Sequence, residues 1–262
     1  MDEQDLRSRY RAGLEITREA GVLALDYFRG RGKLTVERKG LQDFVSVADK
    51  KTEDLIVERM SAAFSDDSIL GEEGGLRQRG PLLWVIDPID GTANFLRGVG
   101  HWCVSLGLIA DGKAMAGFLY NPVTDELFSA HAGGGAFLNG ERIAVSAVTD
   151  IADSSLGTGF AHRLPLEPYV RDMAAMLKAG VDCRTFGSGA LDFALVAAGR
   201  LDAAYYRHIN LWDVAGGLAI VAEAGGRVSD FLAGKAVMTE GNAVLAATPA
   251  LYEPLRAMLL DG

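Results

Sequence analysis

Two aspartates, Asp87 and Asp90, stand three residues apart in the stretch WVIDPIDGTANF (residues 84–95), directly after a hydrophobic run. Carboxylates this close repel each other when ionised, so the arrangement asks for a cation. Pro88 fixes its own φ and biases Asp87 towards an extended conformation, which keeps Asp87 at the carboxyl end of a strand. Gly91 permits a sharp turn or close approach to a ligand. A helix starting there would point the first N–H groups, including those of Gly91 and Thr92, outward, an arrangement that binds phosphate. Carboxylates for cations beside amides for an anion are the working parts of metal-assisted phosphoryl hydrolysis.

Three more segments place acids at expected element boundaries: Asp43 and Asp49 in QDFVSVADKKTE, Glu72 and Glu73 in ILGEEGG, and Asp213 in LWDVAGG. Taken singly, such acids are usually solvated element ends, and Asp213 could simply cap a helix that begins at Val214. Together they offer only oxygen ligands, with no His or Cys cluster beside them. That donor set favours Mg²⁺, or Mn²⁺ as a substitute, over zinc or copper. Water activated by such an ion is the expected nucleophile. No Ser or Cys with a paired His is evident, so a covalent phosphoenzyme is the weaker alternative.

These groups need elements to hold them. With 262 residues, 49% of them apolar, the chain can bury a large core, as one domain or two intimately packed lobes. A formal charge of −9 with no basic tail argues against broad binding to nucleic acid or anionic membrane. Apolar runs are too short to span a bilayer, and MDEQDLRSRYRAG lacks the apolar core of a signal peptide, which predicts a cytoplasmic protein. Cys103 and Cys183 lack CxxC spacing and read as inert thiols. Helical spacing predicts a helix over 4–28 and another from Asp49 to Phe64, with Asp49 as its N-cap. Between them RGRGKLTVERKG (29–40) is basic, either a solvated loop or a mobile flap that visits an anion. PLLWVI (81–86) reads as a buried strand, and Asp111-Gly112 and Asn139-Gly140 read as hairpin turns. The spacing therefore predicts an N-terminal α+β lobe (1–145) with most of the acids, and a C-terminal α/β lobe (146–262) that completes the site.

The segments GEE, WVIDPIDGTANF and WDVAGG…AEAGG resemble the two signatures of the inositol monophosphatase family, in the family's order and spacing. DFVSVADKKTE and GAFLNGERI are similar too, and the resemblance covers about residues 5–260. It implies a layered α/β/α/β/α sandwich, usually dimeric, with Mg²⁺-dependent and often lithium-sensitive phosphomonoesterase activity on a small phosphorylated metabolite. By the same resemblance Glu72, Asp87 and the carbonyl of Ile89 match a first metal site. Asp87, Asp90 and Asp213 match a second, with Asp87 bridging. Glu72 also matches a ligand of a weaker third site, where the nucleophilic water is activated. Thr92 and Asp49 match the pair that orients this water. The amides of Gly91 and Thr92 match the phosphate cradle, and the segment around Lys39 matches the mobile flap.

The leaving alcohol should be read by TFGSGALD (185–192) and AAYYRHINLWD (203–213). Relatives that cleave inositol phosphates typically carry a glutamate seven residues before the WD aspartate, where this chain has Tyr206. A tyrosine is not a bidentate acceptor, which weakens the expectation of inositol selectivity. Arg207 could face an anionic substrate arm or form an ion pair. Ser188 and Gly189 stand where relatives often carry Thr and Ala, leaving a roomier polar floor. Three readings follow: a phosphatase for myo-inositol 1-phosphate or related polyol and sugar phosphates; a histidinol-phosphate phosphatase; and a regulatory interaction protein with a vestigial or secondary phosphatase site. A bisphosphate-nucleotide phosphatase fits less well, since those relatives usually have Lys-Glu where this chain has Ala93-Asn94.

Overall fold

A computed structural model of the chain describes residues 1–33, 36–40, 43–162, 164–233 and 236–261, with backbone alone at 33, 38–40, 43 and 44. In chain order the first half runs α1 (Glu3–Arg29), β1 (Val36–Gly40), β2 (Asp43–Ser46), α2 (Val47–Ala63), β3 (Ser68–Gly71), β4 (Gly75–Arg77), β5 (Leu83–Asp90), α3 (Thr92–Arg97), β6 (Cys103–Ala110), β7 (Lys113–Asn121), β8 (Glu126–His131), β9 (Gly135–Leu138) and β10 (Glu141–Ile143). The second half runs β11 (Ser155–Thr158), α4 (Leu166–Lys178), β12 (Asp182–Arg184), α5 (Gly189–Ala197), β13 (Ala203–Ile209), α6 (Leu211–Glu223), β14 (Arg227–Val228), α7 (Val237–Glu240), β15 (Asn242–Ala247) and α8 (Pro249–Leu259).

Strands β3 to β10 form one eight-stranded sheet in the order β10-β9-β8-β7-β6-β5-β3-β4, antiparallel except where β3 runs parallel to β5. The other large sheet has the order β12-β11-β13-β15-β14 and is mixed. The turns Asp111-Gly112 and Asn139-Gly140 have positive φ at both residues, as two-residue hairpins of matching twist require. Apolar side chains of α1 and α2 (Ala20, Ala24, Ile56, Met60) pack on one face of the large sheet against Trp84, Ile86 and Phe118. On its other face lie α5 and α6, and these also cover the five-stranded sheet, whose far side carries α4 and α8. The order of layers is therefore α/β/α/β/α, as the family resemblance implies. Among the described residues no helix is long and apolar enough to cross a membrane.

Two local expectations need correction. The second helix starts at Val47, and its N-cap is Ser46, whose hydroxyl accepts from Ala48 N at 3.1 Å. Asp49 is the third helical residue and reaches back to Ser46 N (2.8 Å), closing a capping box. Asp213 occupies the equivalent place in α6, which begins at Leu211 behind the N-cap Asn210. A carboxylate at this third position suits the positive end of a helix as well as an N-cap does, and the composition of the segment alone does not separate them.

Candidate metal centre

Asp87 and Asp90 lie at the carboxyl end of β5. Residues three apart in a regular strand point to opposite faces. Here the pairing with β6 slips: Asp87 faces Ser105 but Asp90 faces Cys103, so β5 holds one extra residue. Pro88 cannot donate a ladder hydrogen bond, and the resulting bulge re-aims the second aspartate. Ile89 N donates to Asp87 Oδ1 at 2.9 Å, which fixes the carboxylate against its own turn. Gly91 follows with φ +95°, a conformation that favours glycine, and α3 starts at Thr92.

Asp213 arrives from the middle helical layer. Asn210 N donates to its Oδ2 at 3.0 Å, and Ser105 Oγ of β6 donates to the carbonyl of Trp212 at 3.2 Å. The glycines of WDVAGG let α6 lie directly on the sheet: a Cβ added at Gly117 would fall 1.9 Å from the carbonyl oxygen of Gly216. This close seating delivers Asp213 to β5, and carboxylate oxygens of Asp87, Asp90 and Asp213 all lie within 4.8 Å of one another.

Glu72 follows β3, its N–H donating to the carbonyl of Ile86 at 3.1 Å, which sets it beside Asp87. Its loop is held by Glu53 of α2, a residue the sequence reading passed over. Glu53 is buried and accepts from Glu73 N (2.9 Å) and Gly74 N (2.7 Å). Thr92 Oγ1 lies 3.2 Å from Asp49 Oδ1 and 3.0 Å from the carbonyl of Ile89, two acceptors for one proton. Asp90 is pinned from across the layers: Ser188 Oγ and Ala190 N (2.9 Å) both donate to its Oδ2. Seven of the expected residues, Asp49, Glu72, Asp87, Ile89, Asp90, Thr92 and Asp213, thus converge. The backbone of Lys39 belongs to β1, and its side chain lies outside the described residues.

Electrostatics give this cluster its character. Burial, followed by repulsion from Glu72, Asp90, Asp213 and Asp49, raises the Asp87 carboxyl well above its usual range. Burial and then Asp213 push Asp90 up to about 7, against the lowering effect of its hydrogen bonds to Ser188 and Ala190. Burial also raises Asp49, with Ser46 opposing it. Among the described residues, the donors to Asp87 and Asp90 are all neutral. An all-oxygen set with this much mutual repulsion fits a hard divalent cation, and the residues present are consistent with holding one.

On the alcohol side the candidate polar side chains are engaged with partners inside the protein. Ser188 is the N-cap of α5, buried, with its hydroxyl committed to Asp90. Gly189 sits over Tyr206 and Ile209; a Cβ there would meet Ile209 Cδ1 at 2.7 Å. Tyr206 is only 7% exposed, and its hydroxyl donates to Asp192 Oδ2 at 2.6 Å. Arg207, next along β13, points to the opposite face of the sheet, where Nη2 binds Asp172 Oδ1 at 2.8 Å and Nε binds Oδ2. The structure thus brings Ser188, Gly189 and Tyr206 towards the centre and engages Arg207 in the ion pair.

The layered fold and the oxygen-only acidic centre define a hydrolase-type α/β sandwich with an acidic cluster, able to hold a metal, at the end of its largest sheet. Residues 5–260 match the model of the inositol monophosphatase family, and the chain belongs to that family. It is 40% identical to the Nus factor SuhB of Xylella fastidiosa over 83% of this chain and 80% of that one. It is 37% identical to the inositol-1-monophosphatase of Rhizobium meliloti over 90% and 87%. Among solved structures, the extragenic suppressor protein suhB of Bartonella henselae superposes with a TM-score of 0.88 at 34% identity, covering 96% of this chain and 98% of that one. Inositol monophosphatase from Anabaena gives 0.85 at 32%, covering 98% and 97%.

Proposed function

We propose that this protein is a cytoplasmic, Mg²⁺-dependent phosphomonoesterase that hydrolyses inositol 1-phosphate or a related small polyol phosphate. The observation that carries the reading is the convergence of Asp87, Asp90 and Asp213 within 4.8 Å, beside the Thr92–Asp49 pair. Glu72, Asp87, Asp90, Asp213 and the Ile89 carbonyl would hold two or three ions. Bound there, hard divalent cations supply charge stabilisation to the phosphoryl oxygens and make water a competent nucleophile at neutral pH. The chain's own residues do the rest. Thr92 gives its proton to Asp49, which leaves its oxygen free to accept a hydrogen bond from the attacking water and aim it. Burial raises the basicity of Asp49, so Oδ1 is suited to draw the proton that water releases through Thr92. The amides of Gly91 and Thr92 hold the phosphoryl oxygens. Tyr206, its hydroxyl proton committed to Asp192, faces the alcohol as a hydrogen-bond acceptor.

The test is a panel of phosphomonoesters assayed with Mg²⁺, with and without lithium: inositol 1-phosphate, histidinol phosphate, fructose 1,6-bisphosphate and adenosine bisphosphate. Turnover of inositol 1-phosphate that is abolished by chelation supports the reading, and no turnover of any member overturns it. A second reading has its own support. Identity of 40% to a Nus factor SuhB makes a Nus-factor role a reading to hold beside the enzymatic one. Cells lacking the chain but carrying the Asp90→Asn variant separate the two, since only a non-enzymatic role survives that substitution.

A further inference from the structure

Asn94 joins the two halves of the chain at the acidic centre. It lies in α3, four residues after Asp90, and both hydrogens of its side-chain amide are engaged. Nδ2 donates to the carbonyl of His101 at 2.8 Å and to the carbonyl of Phe186 at 2.8 Å. Each acceptor stands two residues before a partner of Asp90. His101 leads into Cys103, which pairs with Asp90 across the β5–β6 ladder. Phe186 leads into Ser188, whose hydroxyl binds Asp90 Oδ2. Backbone and hydrogen bonds therefore close two small rings that share Asp90 and Asn94. The turns are shaped for it: Gly187 has φ +82°, and a Cβ there would lie 3.2 Å from Asn94 Nδ2. A Cβ at Gly91 would lie 3.2 Å from both His101 O and Gly187 O, so these same segments abut the start of α3.

Only an amide side chain supplies two donors from one nitrogen at this reach; aspartate has the shape but not the donors, and serine has one. We propose that Asn94 is a positioning residue that sets the direction of the Asp90 carboxylate, and through it the metal affinity and rate of the site. The proposal rests on the metal-dependent phosphatase reading above. It is distinct from a merely structural role because the two segments it orders both end on Asp90, one at its backbone and one at its carboxylate.

The experiment compares wild type with Asn94→Ala, Asn94→Asp, Ser188→Ala and the double variant Asn94→Ala/Ser188→Ala. Mg²⁺ alone is titrated by calorimetry, and kcat and KM are then measured at saturating Mg²⁺. Outer contacts to a metal ligand typically change affinity by about 10- to 100-fold, so Asn94→Ala and Asn94→Asp should each weaken Mg²⁺ binding by about tenfold and lower kcat with KM little changed. The double variant should fall short of the product of the single effects, because Asn94 reaches the Asp90 carboxylate through the segment that carries Ser188. Wild-type Mg²⁺ affinity and kcat in both Asn94 variants would overturn the proposal, as would single effects that multiply. If Asn94→Ala does not fold, the isosteric Asn94→Asp decides on the same readouts. A wild type that neither binds Mg²⁺ nor turns over any phosphomonoester sinks the underlying reading, an outcome separate from the Asn94 result.

Discussion

Asp172 and Asp87 are both buried carboxylates, yet the chain treats them in opposite ways. At Asp172, 4% exposed, Arg207 brings a guanidinium and Tyr205 a hydroxyl, so the charge is matched within the protein. Asp67 repeats the arrangement with two bonds from Arg9 and one from the Trp84 indole. At Asp87, 2% exposed, the donor is the neutral amide of Ile89, and burial followed by four acidic neighbours raises its pKa. Asp192 shows a third solution. It is fully buried beside Tyr206 without an arginine, and burial pushes it up to about 8, so it is held mostly as the neutral acid at pH 7. Asp67 and Asp172 are matched by the protein's own arginines and Asp192 by a proton, whereas the described donors to Asp87 and Asp90 are neutral and the neighbouring acids add repulsion. Neutral donors and mutual repulsion together are what a cation would relieve.

The largest effect follows from breaking the acidic cluster itself. Asp90→Asn should lower kcat on the order of 10³-fold, because a charge that would hold a cation at this centre is lost. In metal-free buffer the same variant should be at least as stable as wild type, since a repulsion has been removed. Urea denaturation with and without chelator checks the second half. A variant that is both inactive and markedly less stable would show Asp90 to be a structural acid of the Asp172 kind.

Arg207→Ala probes the balanced partner. Removing the half-exposed arginine leaves the buried Asp172 with the Tyr205 hydroxyl and the more distant Arg171, and the expected cost is about 1–2 kcal/mol of unfolding free energy. The folded fraction should keep wild-type KM, because the guanidinium lies on the far face of β13 from the acidic centre. A raised KM with unchanged stability would transfer Arg207 to the substrate.

Metal addition should separate the two regions without any substitution at either. Mg²⁺ at a hundredfold over its dissociation constant should stabilise the wild type by about 2.7 kcal/mol, read as a rise in Tm that chelator reverses. Arg207→Ala should show the same gain and Asp90→Asn a smaller one. Equal gains in all three would place the bound ion elsewhere.

What the sequence made legible in this contrast was residue type and local spacing. Asp87, Asp90, Glu72 and Asp213 stand out because acids beside Pro, Gly and apolar runs are unusual, and the turns at Asp111 and Asn139 announce hairpins by composition. The partners were not legible. Arg207 meets Asp172 across 35 positions, Ser188 meets Asp90 across 98 and Asn94 meets Phe186 across 92. Nothing in a single chain marks such pairs before the layers are assembled. The β5 bulge is an intermediate case: Pro88 signals that the ladder breaks, but only the register with β6 shows that both aspartates come to one side. Glu53 was hidden for another reason, as a charged residue in a charged helix whose burial depends on the loop that packs over it.

The third solution yields the most specific prediction. Because the folded-state pKa of Asp192 is raised to about 8 from a usual 3.8, the folded protein binds more protons than the unfolded chain between those values. Stability must then fall as pH rises through that window and level off above it, by at most about 1.4 kcal/mol per pH unit for one proton. Asn at this position keeps an acceptor for the Tyr206 hydroxyl but cannot titrate. Asp192→Asn measured against wild type in metal-free buffer, by urea denaturation at steps from pH 5 to 9, should therefore gain relative stability as pH rises towards 8 and hold it beyond. A difference that stays flat across the series would mean that Asp192 is ionised in the fold, and that its charge, like that of Asp87, is left for a cation to answer.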